Sequence, residues 1–301
     1  MDIIILLFGF SIGLVLLVKG ADEMVSSAIQ IALKFKLPSS IVGATFIGFG
    51  TSAPELFAST RAALKGDLDL GIGNIVGSNI ANSLLVVAVL YLALPKDYSK
   101  KINLNKISPT WMAILTTIFV STYLLTNKFP FLLGVALLVL VLYVIYKMIS
   151  SESDDEEDFI EEEKSYVWLR GGMSLIATLY GSQLVVENAV EIASIFGVSS
   201  LVIGSTIIAI GTSLPEVAGT ISAAKMRKPD IVFGNIFGSN LFNIGLVGGA
   251  AIMISPGEIS SVIDYQLFIM YFVSFVVIFL SRNIIKRNEI LGYVFIALYV
   301  L

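Results

Sequence analysis

The chain contains no cysteine and no histidine in 301 residues. That absence excludes disulfides, thiolate nucleophiles, zinc centres of the Cys/His kind and imidazole proton relays. Charge is scarce as well: Asp, Glu, Lys and Arg make up 14% of the chain against 56% hydrophobic residues, and mean hydropathy is +0.90. Soluble domains do not have this balance, so the chain reads as an integral membrane protein. A formal net charge of −4 gives no basic surface for nucleic acid, and no such partner is expected. Alternating ten-residue strands are also missing, which leaves helices rather than a barrel to cross the bilayer. The start, MDIIILLFGF, carries Asp2 where a signal peptide would carry cations, and it reads as the first membrane helix.

What is present is a series of apolar runs long enough to cross about 30 Å of hydrocarbon at about 1.5 Å per residue. The expectation is an all-α protein of ten transmembrane helices, at 2–33, 38–64, 70–94, 107–126, 129–149, 165–196, 199–224, 231–254, 261–281 and 288–301. The first and sixth runs exceed the bilayer and turn amphipathic in their second halves, through Asp22 and Glu23 in one and Glu187 and Glu191 in the other. Tilt or partial interfacial placement accommodates them. The last run is short, and the chain stops within it at Leu301.

Orientation follows from the cations. With the N-terminus outside, the cytoplasmic loops hold fifteen of the nineteen Lys and Arg residues, the outer loops hold Arg61, Lys65 and Lys128, and Lys19 lies within the first span. Fifteen against three is a positive-inside bias. Both termini are then extracellular. Each half, 1–149 and 165–301, has five spans, and the odd number turns the second half upside down relative to the first. The acidic stretch at 150–164 lacks the glycine and ligand spacing of an EF-hand and reads as a solvated cytoplasmic linker.

Two polar patterns recur across the halves at an offset of 161 residues. Residues 43–55 read GATFIGFGTSAPE and residues 204–216 read GSTIIAIGTSLPE; GNIVGSNIAN at 73–82 is echoed by GNIFGSNLFN at 234–243. Pro54 and Pro215 lack an N–H and crowd the carbonyls of Gly50 and Gly211, so each helix must loosen there. Thr51, Ser52, Thr212 and Ser213 supply hydroxyls beside the carboxylates of Glu55 and Glu216. Small polar residues and a proline kink alone are ordinary at membrane helix interfaces. An ionised carboxylate near the bilayer centre is not, because it costs several kcal/mol unless paired or set on a polar path, and neither motif contains a lysine or arginine. Oxygen ligands of this kind suit hard cations such as calcium and sodium.

The second pattern puts Asn74, Ser78 and Asn82 on one helical face, and Asn235, Ser239 and Asn243 likewise. Such a row can complete a cation cage. Gly73 and Gly77 also fit the G-x-x-x-G spacing of a close helix contact, and the two readings are compatible.

GTSAPE and GTSLPE, each followed by a GN-x-x-GSN element, resemble the two repeats of the calcium/cation antiporter superfamily, in the sodium/calcium exchanger branch and its prokaryotic relatives. The resemblance covers the whole ten-helix plan. It implies that Glu55, Glu216, Thr51 and Thr212 ligate calcium. It further implies sodium sites from Ser52, Ser213, Ser78 and Ser239 with the carbonyls of Gly48 and Ala209, and Asn82 and Asn243 at the last position of the second pattern. Some branches, including potassium-dependent exchangers, carry aspartate there in the second repeat. Asparagine in both copies speaks against a potassium requirement. The implied activity is sodium/calcium antiport by alternating access, electrogenic at three sodium ions per calcium, with the long first and sixth helices sliding over the other eight. The expected partners are calcium and sodium ions and the bilayer, with no cofactor and the chain a monomer in the cell membrane.

Three other readings compete. A cation channel would more naturally build its ring from several subunits. An intramembrane enzyme would have only the two glutamates for its chemistry. A proton/calcium exchanger of the same architecture is the serious alternative.

Overall fold

A computed structural model describes residues 3–102, 104–150, 166–198, 207 and 209–300. Most of the expected linker, and the first part of the seventh span with Gly204 to Thr206 of its motif, lie outside the described residues. The fold is helical. Helix α1 (Ile3–Phe35) is followed by α2 (Ser39–Thr51) and α3 (Ala53–Leu64), then α4 (Leu68–Ala93), α5 (Ile107–Thr126), α6 (Phe131–Ile149) and α7 (Val167–Ile195). A short helical piece, Ala209–Gly211, precedes α8 (Leu214–Lys225), α9 (Pro229–Ile254), α10 (Asp264–Ser281) and α11 (Glu289–Val300). Six of the described helices are long and apolar enough to cross a membrane, and a seventh crossing arises if α2 and α3 form one broken span.

Helix ends follow the local chemistry. Asp67 caps α4 by accepting from the Leu70 N–H at 3.0 Å, and Pro229 opens α9 where its missing N–H costs nothing. The second expected span is not straight: α2 and α3 meet at a 45° bend around Ser52, with Pro54 in the first turn of α3, as the proline requires.

Burial sorts the helices. The most apolar stretches of α4 and α9 are 72% and 83% buried, whereas that of α1 is only 22% buried. Helices α4 and α9 therefore form the centre, with buried polar residues among their apolar ones, whereas the apolar stretch of α1 is largely exposed and its second half is packed.

Helices α1 and α7 are 33 and 29 residues long, roughly 50 and 44 Å at 1.5 Å per residue, longer than the hydrocarbon layer. They run antiparallel with backbones in contact. A Cβ on Gly13 would lie 2.9 Å from the Gly181 carbonyl, and one on Gly181 would lie 2.4 Å from the Leu17 nitrogen. Farther along, Arg170 of α7 donates to the Glu23 carboxylate of α1. Both partners are about one-third exposed, so the pair orients the helices more than it stabilises them.

One feature departs from a purely helical expectation. Four short strands form two antiparallel ladders: β1 (Ser99–Lys101) with β4 (Ile284–Lys286), and β2 (Lys128–Phe129) with β3 (Gly257–Glu258). Two and three residues are too few to leave an alternating pattern in the sequence. Each ladder ties a loop of the first half to a loop of the second.

Candidate cation site

The site forms where α2 crosses α9. Both helices widen locally to π geometry, at Gly43–Gly48 in α2 and Asn243–Gly248 in α9, and α4 does so at Asn82–Val86. A π turn releases backbone groups from the i→i−4 pattern and recurs at functional sites. The three segments end or begin on Gly48, Asn82 and Asn243, all of them site residues expected from sequence.

Glycine makes the crossing close. A Cβ on Gly238 would lie 2.4 Å from the Ala44 carbonyl oxygen, one on Gly234 would lie 2.1 Å from that of Ser40, and one on Gly43 would lie 2.5 Å from that of Ile231. The contact reading of the second pattern therefore holds for its second copy. For the first copy, no atom of the described residues lies within 4 Å of a Cβ at Gly73 or Gly77. The segment that the 161-residue offset would bring there, 201–205, is outside the described residues.

At the crossing the Gly48 carbonyl accepts from Ser239 Oγ at 3.2 Å, from Thr51 Oγ1 at 3.5 Å and from the Ser52 N–H at 3.2 Å. The Thr51 and Ser239 hydroxyls are 3.4 Å apart. Hydroxyls can rotate and present lone pairs instead of protons, so a cation at this point would find oxygens from both halves. Ser78 Oγ donates to Glu55 Oε1 at 3.4 Å. The second carboxylate, Glu216, stands in the first turn of α8, within electrostatic reach of Glu55.

Glu55 and Glu216 are 6% and 2% exposed, and Oε2 of each has no hydrogen-bond partner among the described residues. The same is true of Ser52 Oγ and Asn243 Oδ1. Buried polar atoms are nearly always paired. Orphan oxygens at Ser52, Glu55, Glu216 and Asn243, with those of Thr220 and Ser222 on α8, are the kind that an oxygen-seeking cation complements. Among the described residues no three acidic, histidine or cysteine side chains converge, so two carboxylates and neutral oxygens make up the donor set.

Thr51, Ser52, Ser78, Ser213, Ser239, Asn82 and Asn243 are all buried, whereas Thr212 is exposed. Thr212 lies on the wall of a cavity of about 580 Å³ that also reaches Glu55, Pro54 and Pro215. Ala209 opens the short helical piece before the second break. The carbonyls expected to be freed by proline are already engaged: Gly211 accepts from Ser182 Oγ of α7 at 3.2 Å, and Gly50 accepts a backbone N–H at the bend.

Sequence reasoning undervalued a further set of residues. Asn82 Nδ2 donates to Asn240 Oδ1 at 3.1 Å, Asn240 Nδ2 to Ser83 Oγ at 3.1 Å, Asn243 Nδ2 to Asn79 Oδ1 at 3.0 Å, and Asn79 Nδ2 to the Asn240 carbonyl at 3.4 Å. The duplicated GSN triplets signalled Asn79 and Asn240. Ser83 and Ser182 carried no signal. This amide network links α4 to α9 and leaves Asn243 Oδ1 free to face the site. Asn240→Leu strands the Asn82 amide and the Ser83 hydroxyl, at an expected cost of about 1–3 kcal/mol. Thermal unfolding in detergent should register a lower melting temperature, and an unchanged one would remove the network from the stability of the fold.

Comparison with known proteins agrees with this geometry. The family model described as sodium/calcium exchanger protein matches residues 5–151 and 166–301. CaxA of Alkalimonas amylolytica is 38% identical over 83% of this chain and 81% of its own length. Sodium/calcium exchanger MaX1 of Methanosarcina acetivorans is 30% identical over 96% of this chain and 95% of its own. The structure of the sodium-calcium exchanger NCX_Mj soaked with sodium and strontium superposes with a TM-score of 0.82 at 28% identity, over 99% of this chain and 97% of that one. With both halves matched and two of these three relatives covered to 95% or more of their length, the chain belongs to the sodium/calcium exchanger family, a multi-pass membrane antiporter of cations and not an enzyme.

Proposed function

We propose that the protein exchanges sodium for calcium by alternating access, through one cage shared by two inverted five-helix halves, 1–149 and 165–301, joined by the cytoplasmic linker 150–164. The observation that carries this reading is the pair of buried glutamates, Glu55 and Glu216, each with one oxygen that has no partner among the described residues. Two carboxylates have a formal charge of −2, which one calcium ion neutralises. Emptied, they repel one another in a medium of low dielectric, so the unloaded site resists crossing and exchange is favoured over leak. Thr51 and Thr212 complete the calcium ligands. Ser52, Ser213, Ser78, Ser239 and the Gly48 and Ala209 carbonyls hold sodium beside it, with Asn82 and Asn243 as neutral neighbours. Three sodium ions per calcium would move one net charge, worth about 2.3 kcal/mol per 100 mV.

Several features support the inverted arrangement. Gly20 and Gly181, 161 residues apart, both lie in the α1–α7 contact. The same offset relates Lys36 and Gly197, which end these helices in left-handed geometry at φ 52° and 77°. The ladders correspond too, since β1 and β3 follow α4 and α9, in the third expected span of each half, and β2 and β4 follow α5 and α10, in the fourth. Helices α1 and α7, in contact along their length, are the element that would move. With both termini outside, the cavity opens outward, because α3 and the far end of α7 lead toward the side of Arg61 and Lys65.

The test is calcium-45 efflux from proteoliposomes driven by an opposing sodium gradient, with pH clamped on both sides. Efflux is expected, at the same rate when choline replaces potassium, since neither Asn82 nor Asn243 adds a charge. Efflux driven by a pH gradient and not by sodium would transfer the coupling to protons.

A further inference from the structure

The wall of the access cavity carries one charge that the cage does not use. Of the described residues that line it, Glu55 and Glu187 alone are charged, and the remainder are apolar or neutral. Glu55 is the buried member of the wall, and its Oε2 has no partner among the described residues. Glu187 sits on α7, exposed, with its Oε1 accepting from Gln183 Nε2 at 2.7 Å one turn earlier. That bond fixes one carboxylate oxygen against the helix and leaves the other for the cavity. Tyr180, Asn74 and Thr212 stand on the same wall.

A carboxylate on an exposed helix face is ordinarily a solvated charge. Here its surroundings differ, because the cavity has low-dielectric walls, no cationic side chain among its described residues, and an oxygen-rich end. Clefts lined by one sign of charge focus the field and raise the local concentration of the counter-ion, with rate effects of roughly 10- to 1,000-fold. The geometry points to Glu187 as a capture station, where a hydrated divalent cation is held before it loses water to the cage. Gln183 positions the carboxylate. A divalent ion gains twice the Coulomb energy of sodium at such a charge, so the station favours calcium loading from this side. The inference rests on calcium being a substrate, and its test separates the two.

The experiment is calcium-45 self-exchange, without sodium, in membrane vesicles of both orientations, with ionic strength set by N-methylglucamine chloride. Glu187→Gln should raise KM for calcium about threefold to tenfold at about 10 mM ionic strength, in one vesicle orientation only. The difference should shrink toward none at about 150 mM, where the Debye length falls to about 8 Å. Glu187→Lys should raise KM further in the same orientation. Asp22→Asn removes an equal charge from α1, away from the cavity wall, and should leave that KM in place. An unchanged KM in Glu187→Gln at low ionic strength overturns the station, as does a rise that persists at high salt or one matched by Asp22→Asn. If the unsubstituted protein fails to exchange calcium, the substrate reading falls and the calcium station falls with it.

Discussion

Glu216→Gln is expected to abolish sodium-driven calcium flux while the protein still extracts as a monomer, and Glu55→Gln is expected to do the same. The substitution preserves volume but changes the site in two ways. It removes one of two formal charges, so a bound calcium ion keeps a net positive charge in a crossing where Glu55 and Glu216 are only 6% and 2% exposed. It also replaces an acceptor oxygen with an NH₂ group, a donor aimed at a cation. Leaving a buried charge uncompensated costs about 3–5 kcal/mol, roughly two to three and a half orders of magnitude in Kd. Isothermal titration in detergent should find calcium binding lost or moved beyond the measurable range.

The fold should respond in the opposite sense. Oε2 of each glutamate has no partner among the described residues, and a neutral amide costs less to bury than a carboxylate. Without calcium, either variant should therefore melt at or above the unsubstituted protein. With calcium the order reverses, because a ligand that binds only the native state stabilises it by RT ln(1 + [L]/Kd), and only the unsubstituted protein gains that term. Retained calcium affinity in one variant would remove that residue from the cage.

The sequence made the chemistry of this site legible before its shape. Glu55 and Glu216 stood out because carboxylates in apolar runs need a reason, and the 161-residue echo paired them. Helix positions were equally readable: the fourth span, 107–126, coincides with α5, since long apolar runs bounded by polar turns leave little freedom in lipid. Less legible was anything set by contact between the halves. The π segments carry no composition of their own and show only in the structure, in α4 as well as in α2 and α9. The 45° bend at Ser52 was foreseeable from Pro54, but the engagement of the Gly211 carbonyl by Ser182 required knowing that α7 lies alongside. Residues 99–101 and 284–286 pair across 185 positions, beyond any local pattern.

The second large effect is expected away from the carboxylates. Gly238→Ala should remove transport almost completely and lower stability, although alanine adds one methyl group and is the better helix former. Its Cβ would lie 2.4 Å from the Ala44 carbonyl oxygen, 2.5 Å from Ala44 Cα and 2.8 Å from Ala44 C. All three are backbone atoms of α2 and cannot rotate aside. The helices must separate by about 1 Å, and overpacking of this kind costs about 1–3 kcal/mol. The same separation stretches the bond from Ser239 Oγ to the Gly48 carbonyl, now 3.2 Å, and the 3.4 Å approach of Thr51 to Ser239, beyond hydrogen-bonding reach. On the proposed reading the cage is divided between the halves at this point, so spreading the crossing would move one set of ligands away from the other. Gly172→Ala on α7 is the control, because no described atom lies within 4 Å of a Cβ there, and it should leave both melting temperature and flux near their unsubstituted values. Paired measurements of thermal unfolding and calcium-45 flux decide the matter. Normal flux in Gly238→Ala would mean that the crossing tolerates a spread of this size and that the ligands need not be held by backbone contact. If stability falls while calcium affinity is retained, the packing account survives and the siting of the cage at the α2–α9 seam does not.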